Sequence, residues 1–126
     1  MKNIVTYITE SNANQVIFNA CMELDNNYNI YKTQYNPLVK QIVKKHKSGK
    51  FNIETLESSS SVSKLATAAL KAAKAGTLSS GDRKRLYKFI TGNLLKTMSN
   101  EGEELTKEEE DYMIEWDYNN SDKCGW

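Results

Sequence analysis

The sequence predicts a mainly α-helical fold, a compact bundle of about five short helices preceded by an extended, β-capable N-terminal segment. Three observations carry this reading. Apolar residues recur at helical spacing along most of the 126 residues, Ser, Asn and Gly punctuate those stretches where helices begin and end, and the single proline sits where a helix tolerates one. Charged residues make up 26% and apolar ones 39% of the chain, so one modest core is within reach at this length.

Residues 3–9 (Asn-Ile-Val-Thr-Tyr-Ile-Thr) are β-branched and aromatic and favour an extended conformation. A second strand-like run spans Tyr28 to Tyr35. Either the two runs pair as a minimal sheet, or the N-terminus is an arm docked on its own helices or on a second subunit; the arm is the preferred reading.

Between them, Ser11 is placed to cap a helix from Asn12 to Asp25, with Ala13, Val16, Ile17, Ala20 and Leu24 on one side. Asn36-Pro37 signals the next start, because Asn caps well and the missing proline N–H is harmless in a first turn. That helix is expected to reach Lys47 and stop near Gly49. Its apolar arc holds Leu38, Val39, Ile42 and Val43, and His46 projects into the same arc as a packed or capping residue rather than a ligand or base. Residues 51–57 read as a short turn of helix capped by Asn52, and Ser58 to Ser61 as a tight connection. An alanine-rich helix then runs from Val62 to Ala75, with Gly76 as its left-handed cap.

The longest predicted helix spans Asp82 to Ser99, with Leu86, Phe89, Ile90, Leu94 and Met98 facing the core. Thr106 and Glu109 have the spacing of a capping box and open a last helix to about Tyr118. Residues 1–118 are thus read as one helical domain with an N-terminal arm over 1–10, and 119–126 as a flexible tail.

The charge pattern is the strongest functional signal. Residues 32–96 hold 14 of the 17 basic residues against three acids, whereas the C-terminal thirty residues are acidic. Most of these lysines fall on predicted solvent faces. The exception is Arg83-Lys84-Arg85 in a first helical turn, where the helix dipole disfavours cations and an anion would relieve the conflict. Candidate anion or nucleic-acid contacts are therefore Lys44, Lys45, Lys47, Ser80, Arg83, Lys84, Arg85 and Lys88, with Tyr28, Tyr31, Tyr35 and Tyr87 as aromatic surfaces for stacking. The anion is a phosphate, a partner's acids, or the chain's own acidic tail. Tyr7, Ile8, Tyr112 and Trp116 are the candidates for protein contacts.

No motif dictates a reaction. One histidine and two distant cysteines offer no nucleophile and base set, no zinc spacing and no disulfide framework, and the acidic C-terminal stretch matches no calcium loop. The expectation is a non-enzyme without metal or cofactor, unexported and outside the membrane, with reduced thiols in the cytoplasm. The leading reading is a small protein-interaction module that docks on a partner protein or on itself. Thirteen asparagines and many lysines give it the style of accessory proteins from AT-rich phages or mobile elements, which would place it in a host cytoplasm, acting on a host factor, or in a virion. The alternative reading is a nucleic-acid or phosphate binder using the basic faces of residues 32–96.

Overall fold

The structure, a computed structural model, describes the backbone of residues 10–124 and the side chains of residues 13–115. Among these residues the fold is helical throughout: α1 (Glu10–Asn26), α2 (Tyr28–Ile30), a π-helical turn (Tyr31–Tyr35), α3 (Asn36–Lys47), α4 (Ile53–Glu57), α5 (Ser60–Ala72), α6 (Ser80–Asn100) and α7 (Lys107–Cys124). The mainly α, compact architecture expected from the sequence is present. Residues 3–9 lie outside the described residues.

Helix α6 is the centre. Its buried residues Leu86, Phe89, Ile90, Thr91, Gly92, Leu94, Leu95 and Met98 occupy most of the circumference at ~100° per residue, the pattern of a helix surrounded by others. Helices α1, α3, α4, α5 and α7 all pack against it, and α1 lies additionally between α5 and α7. One cluster of buried side chains runs from Ala13 of α1 to Met98 of α6, with Leu105, Tyr112 and Met113 packed on it. Leu56 and Val62, on either side of the serine run, belong to that same cluster. The one buried hydroxyl at the centre, Thr91, donates to the Tyr87 carbonyl at 2.8 Å, which removes the penalty of an unpaired polar group.

The local chemistry explains most boundaries. The Asn52 side chain accepts from the Thr55 N–H at 2.9 Å to start α4, and the Ser59 hydroxyl accepts from the Val62 N–H at 3.2 Å to start α5. Ser79 caps α6 through the Asp82 N–H at 3.2 Å. Consequently α6 begins at Ser80, two residues before the predicted Asp82. At the far end, α3 closes in a Schellman motif: Gly49 at φ +76° lets its N–H reach the His46 carbonyl and the Lys50 N–H reach Lys45. Helix α7 continues to Cys124, six residues past its expected end at Tyr118.

Three expectations are corrected. The run Tyr28 to Tyr35 is not a strand. The Asn27 side chain caps it by accepting from the Ile30 N–H at 3.1 Å, and it continues without a break into α3. Ile30 and Tyr35 are buried five residues apart, the step of a π-turn, and burial of these two side chains outweighs the β preference of the tyrosines. Asn36 accordingly caps nothing. Its φ of −62° and ψ of −43° are helical, and its N–H bonds to the Tyr31 carbonyl, the five-residue bond of the widened turn. That turn lies just before Pro37, whose ring would otherwise press on the carbonyl four residues back and which has no N–H to give. Finally, Gly76 does not terminate α5. The helix ends at Ala72, and Lys74 takes the left-handed conformation at φ +53° while Ala75 N–H bonds to the Leu70 carbonyl.

Candidate nucleic-acid interface

From Tyr28 to Lys47 the chain is one helical rod of twenty residues, about 30 Å long at ~1.5 Å per residue. It contains no acid. Its core side is Ile30, Tyr35, Leu38, Val39 and Ile42, and the exposed positions Tyr28, Lys32, Lys40, Lys44 and Lys47 recur along the other side, with Tyr31 and Lys45 beside them. Tyr28 is 72% and Tyr31 45% exposed, unusual for rings of this size. The Lys32 ammonium lies 6.0 Å from the centre of the Tyr28 ring. Among the described residues, the only one of these lysines with a carboxylate within 4 Å is Lys47, 3.7 Å from Glu103. The rod thus presents unneutralised ammonium groups and two open aromatic faces.

The lower ring, Tyr35, is fixed. Asn93 Nδ2 donates to its hydroxyl at 2.9 Å, that hydroxyl reaches the Asn93 carbonyl at 3.2 Å and shares a hydrogen bond with the Thr97 hydroxyl at 2.8 Å, and the Thr97 hydroxyl in turn reaches the Asn93 carbonyl at 3.0 Å. Burial drives its pKa well above the usual phenol value; the Thr97 bond works against this and the charge of Asp25 adds to it. Tyr31 stacks on that fixed ring, with centroids 6.0 Å apart and planes at 24°.

The other end of the rod is tied down by His46. Its Nδ1 lies 3.0 Å from Glu103 and its Nε2 2.7 Å from Glu109, while its ring meets Phe51 edge-on at 5.7 Å. Burial disfavours the charged ring, but hydrogen bonds to Glu109 and Glu103 outweigh it and raise the pKa above the ordinary histidine value. The same Glu109 oxygen also accepts from the Thr106 N–H at 2.9 Å, and Thr106 Oγ1 accepts from the Glu109 N–H at 3.2 Å, so the predicted capping box is formed. His46 is therefore a packed, doubly bound side chain that fastens α3 to the start of α7.

The predicted basic residues do not form one cluster. Lys47, in the same last turn of α3 as Lys44 and Lys45, lies near Glu103, just past the end of α6, whereas Arg83, Lys84, Arg85 and Lys88 occupy the first turns of α6, about 20 to 25 Å from that end along the axis. Arg85 turns toward Asp82 at 2.8 Å and toward the Asn14 side chain of α1. Arg83 reaches across to α5, donating to Thr67 at 2.6 Å and, within its own helix, to the Tyr87 hydroxyl at 2.7 Å. That bond, with one from Ser63, lowers the Tyr87 pKa, the Ser63 contribution being the larger. Asp82 supplies the negative charge for the α6 start. Among the described residues no acid of the C-terminal stretch pairs with these arginines. Ser80 is exposed but Ser79 is the cap; Lys84 and Lys88 point to solvent.

Of the residues expected to make protein contacts, Tyr112 turns inward and donates to Glu57 at 2.6 Å, its pKa pushed well up by burial and then by that carboxylate. Tyr7, Ile8 and the Trp116 side chain lie outside the described residues. Sequence reasoning did not find Asp25, Asn93, Thr97 or the carboxylate pair around His46, because each enters through packing with no local motif to mark it.

Among the described residues no group of three or more His, Cys, Asp or Glu side chains is arranged to hold a metal ion, and no helix is long and apolar enough to cross a membrane. No family model matches the sequence, and neither does any curated protein or solved structure.

Proposed function

We propose that the protein is a non-enzymatic binding module whose rod from Tyr28 to Lys47 docks on single-stranded nucleic acid. The observation that carries this reading is the combination on one rod of lysines without acidic partners and two exposed tyrosines. Neutralising phosphates releases condensed counterions and provides affinity without sequence preference. Open aromatic faces add stacking on unpaired bases, which a duplex does not offer. A 30 Å rod accommodates about four or five phosphate contacts.

The test is titration of labelled single- and double-stranded oligonucleotides at low and raised salt, with an acidic polypeptide as the competing ligand. Tighter binding to the single strand is expected, falling with salt at a logarithmic slope of about −3, given ~0.7 per phosphate neutralised. The triple variant Lys40→Ala, Lys44→Ala, Lys45→Ala should flatten that slope. Absence of salt-sensitive oligonucleotide binding would sink the reading. Binding of the acidic polypeptide alone would establish instead that the lysines serve a protein partner, the docking role that composition by itself suggests.

A further inference from the structure

An open cleft of about 370 Å³ lies where the π-turn meets α6, bounded by Leu24 and Asp25 of α1, Tyr31 and Tyr35, and Lys96 and Asn100 of α6. Its volume is at the small end of the range for ligand pockets, ~300 to 1,000 Å³, which suits a single ring system better than a peptide. One wall is the Tyr31 ring, held by Tyr35, whose own hydroxyl is locked by Asn93 and Thr97. The exposed residues Asp25 and Asn100 and the half-buried Lys96 complete its lining.

These groups select among flat polar ligands. A π-face wall takes any nucleobase, but a carboxylate at the edge takes a base that offers it adjacent N–H donors. Guanine presents two on one edge, N1–H and the 2-amino group. Uracil and thymine flank their single N–H with carbonyl oxygens that repel a carboxylate, and adenine and cytosine offer one exocyclic amine each. We propose that the cleft between the π-turn and α6 receives one unstacked guanine, stacked on Tyr31 and hydrogen-bonded to Asp25. This rests on the strand-binding reading for its biological source, since the same chemistry also fits a free guanine nucleotide.

The experiment follows backbone amide shifts of the isotope-labelled protein on titration with the four nucleoside monophosphates, alongside homopolymeric and guanine-containing oligonucleotides. Guanosine monophosphate is expected to shift the amides of Leu24, Tyr31 and Thr97 at lower concentration than the others do. Asp25→Asn should erase that preference, and Tyr31→Ala should weaken every nucleotide about tenfold, from the stacking lost per base. Tyr31→Leu keeps apolar bulk without the aromatic face, so a weakened Tyr31→Leu variant with unchanged melting separates stacking from folding. Equal responses to all four nucleotides, or shifts elsewhere, overturn the guanine pocket. Oligonucleotide binding without base preference leaves the strand reading standing and removes the pocket. Binding of the monophosphate without oligonucleotide binding does the reverse and makes the free nucleotide the ligand.

Discussion

Two carboxylates facing the two nitrogens of one imidazole can both be satisfied by N–H donors only when that ring is charged. His46 is in this position between Glu103 and Glu109, with Lys47 the only other charged group at the contact among the described ion pairs. Its folded-state pKa is raised above 6.5, so the stability it contributes is full below the unfolded value and is lost as pH rises through the folded one. The wild-type melting temperature should therefore fall as pH is raised across the neutral range, measured at constant ionic strength. His46→Gln should remove most of that slope and cost about 2 kcal/mol on the acidic side, the scale of losing hydrogen bonds to charged groups. A slope unchanged in the variant would show that other groups set it.

The caps by Asn52 and the Thr106–Glu109 pair were readable because each acts within three residues, whereas Asn27 caps a run that looked strand-like and Ser79 starts α6 two residues ahead of the expected Asp82. The end of α5 was not readable. Gly76 invites a left-handed cap, yet the helix closes two residues earlier on Lys74, where Leu70 and Ala75 meet and their burial fixes the stop. A lysine at φ +53° carries a steric cost that glycine lacks. Lys74→Gly should therefore stabilise the protein by about 1 kcal/mol in urea unfolding, whereas Gly49→Ala, at φ +76°, would do the opposite. The π-turn was equally hidden: three tyrosines look β-prone, and only the five-residue step from Ile30 to Tyr35, visible once burial is known, marks the extra residue.

The architecture as a whole hangs on α6. Its core positions follow directly from the apolar periodicity of residues 86–98, and that is why the fold class was legible. Phe89, with no exposed surface at the crossing of the helices, is the largest of the fully buried side chains among the described residues. Phe89→Ala should cost about 4 kcal/mol, near the top of the range for single core truncations, and lower the denaturation midpoint without changing the charge of the molecule. The candidate interface was only half legible. Charge segregation is a property of composition and could be counted, but which basic residues share a surface depends on contacts such as His46 with Glu103 and Glu109, 57 and 63 residues apart. Packing separates Lys44 to Lys47 from Arg83 to Lys88 by most of the length of α6, and no local spacing encodes that distance.

The widened turn before Pro37 also sets the helical phase of everything after it. With every residue kept but wound at ordinary α spacing, Tyr31–Tyr35 would rotate α3 by about 100° relative to α2, because the widened turn absorbs one residue. Leu38 and Ile42 would swing away from α6 as lysines swung toward it, and His46 would leave its two carboxylates. The core and the tyrosine–lysine rod can therefore coexist only with that turn widened, so the geometry of the candidate interface and the stability of the bundle are set by the same five positions.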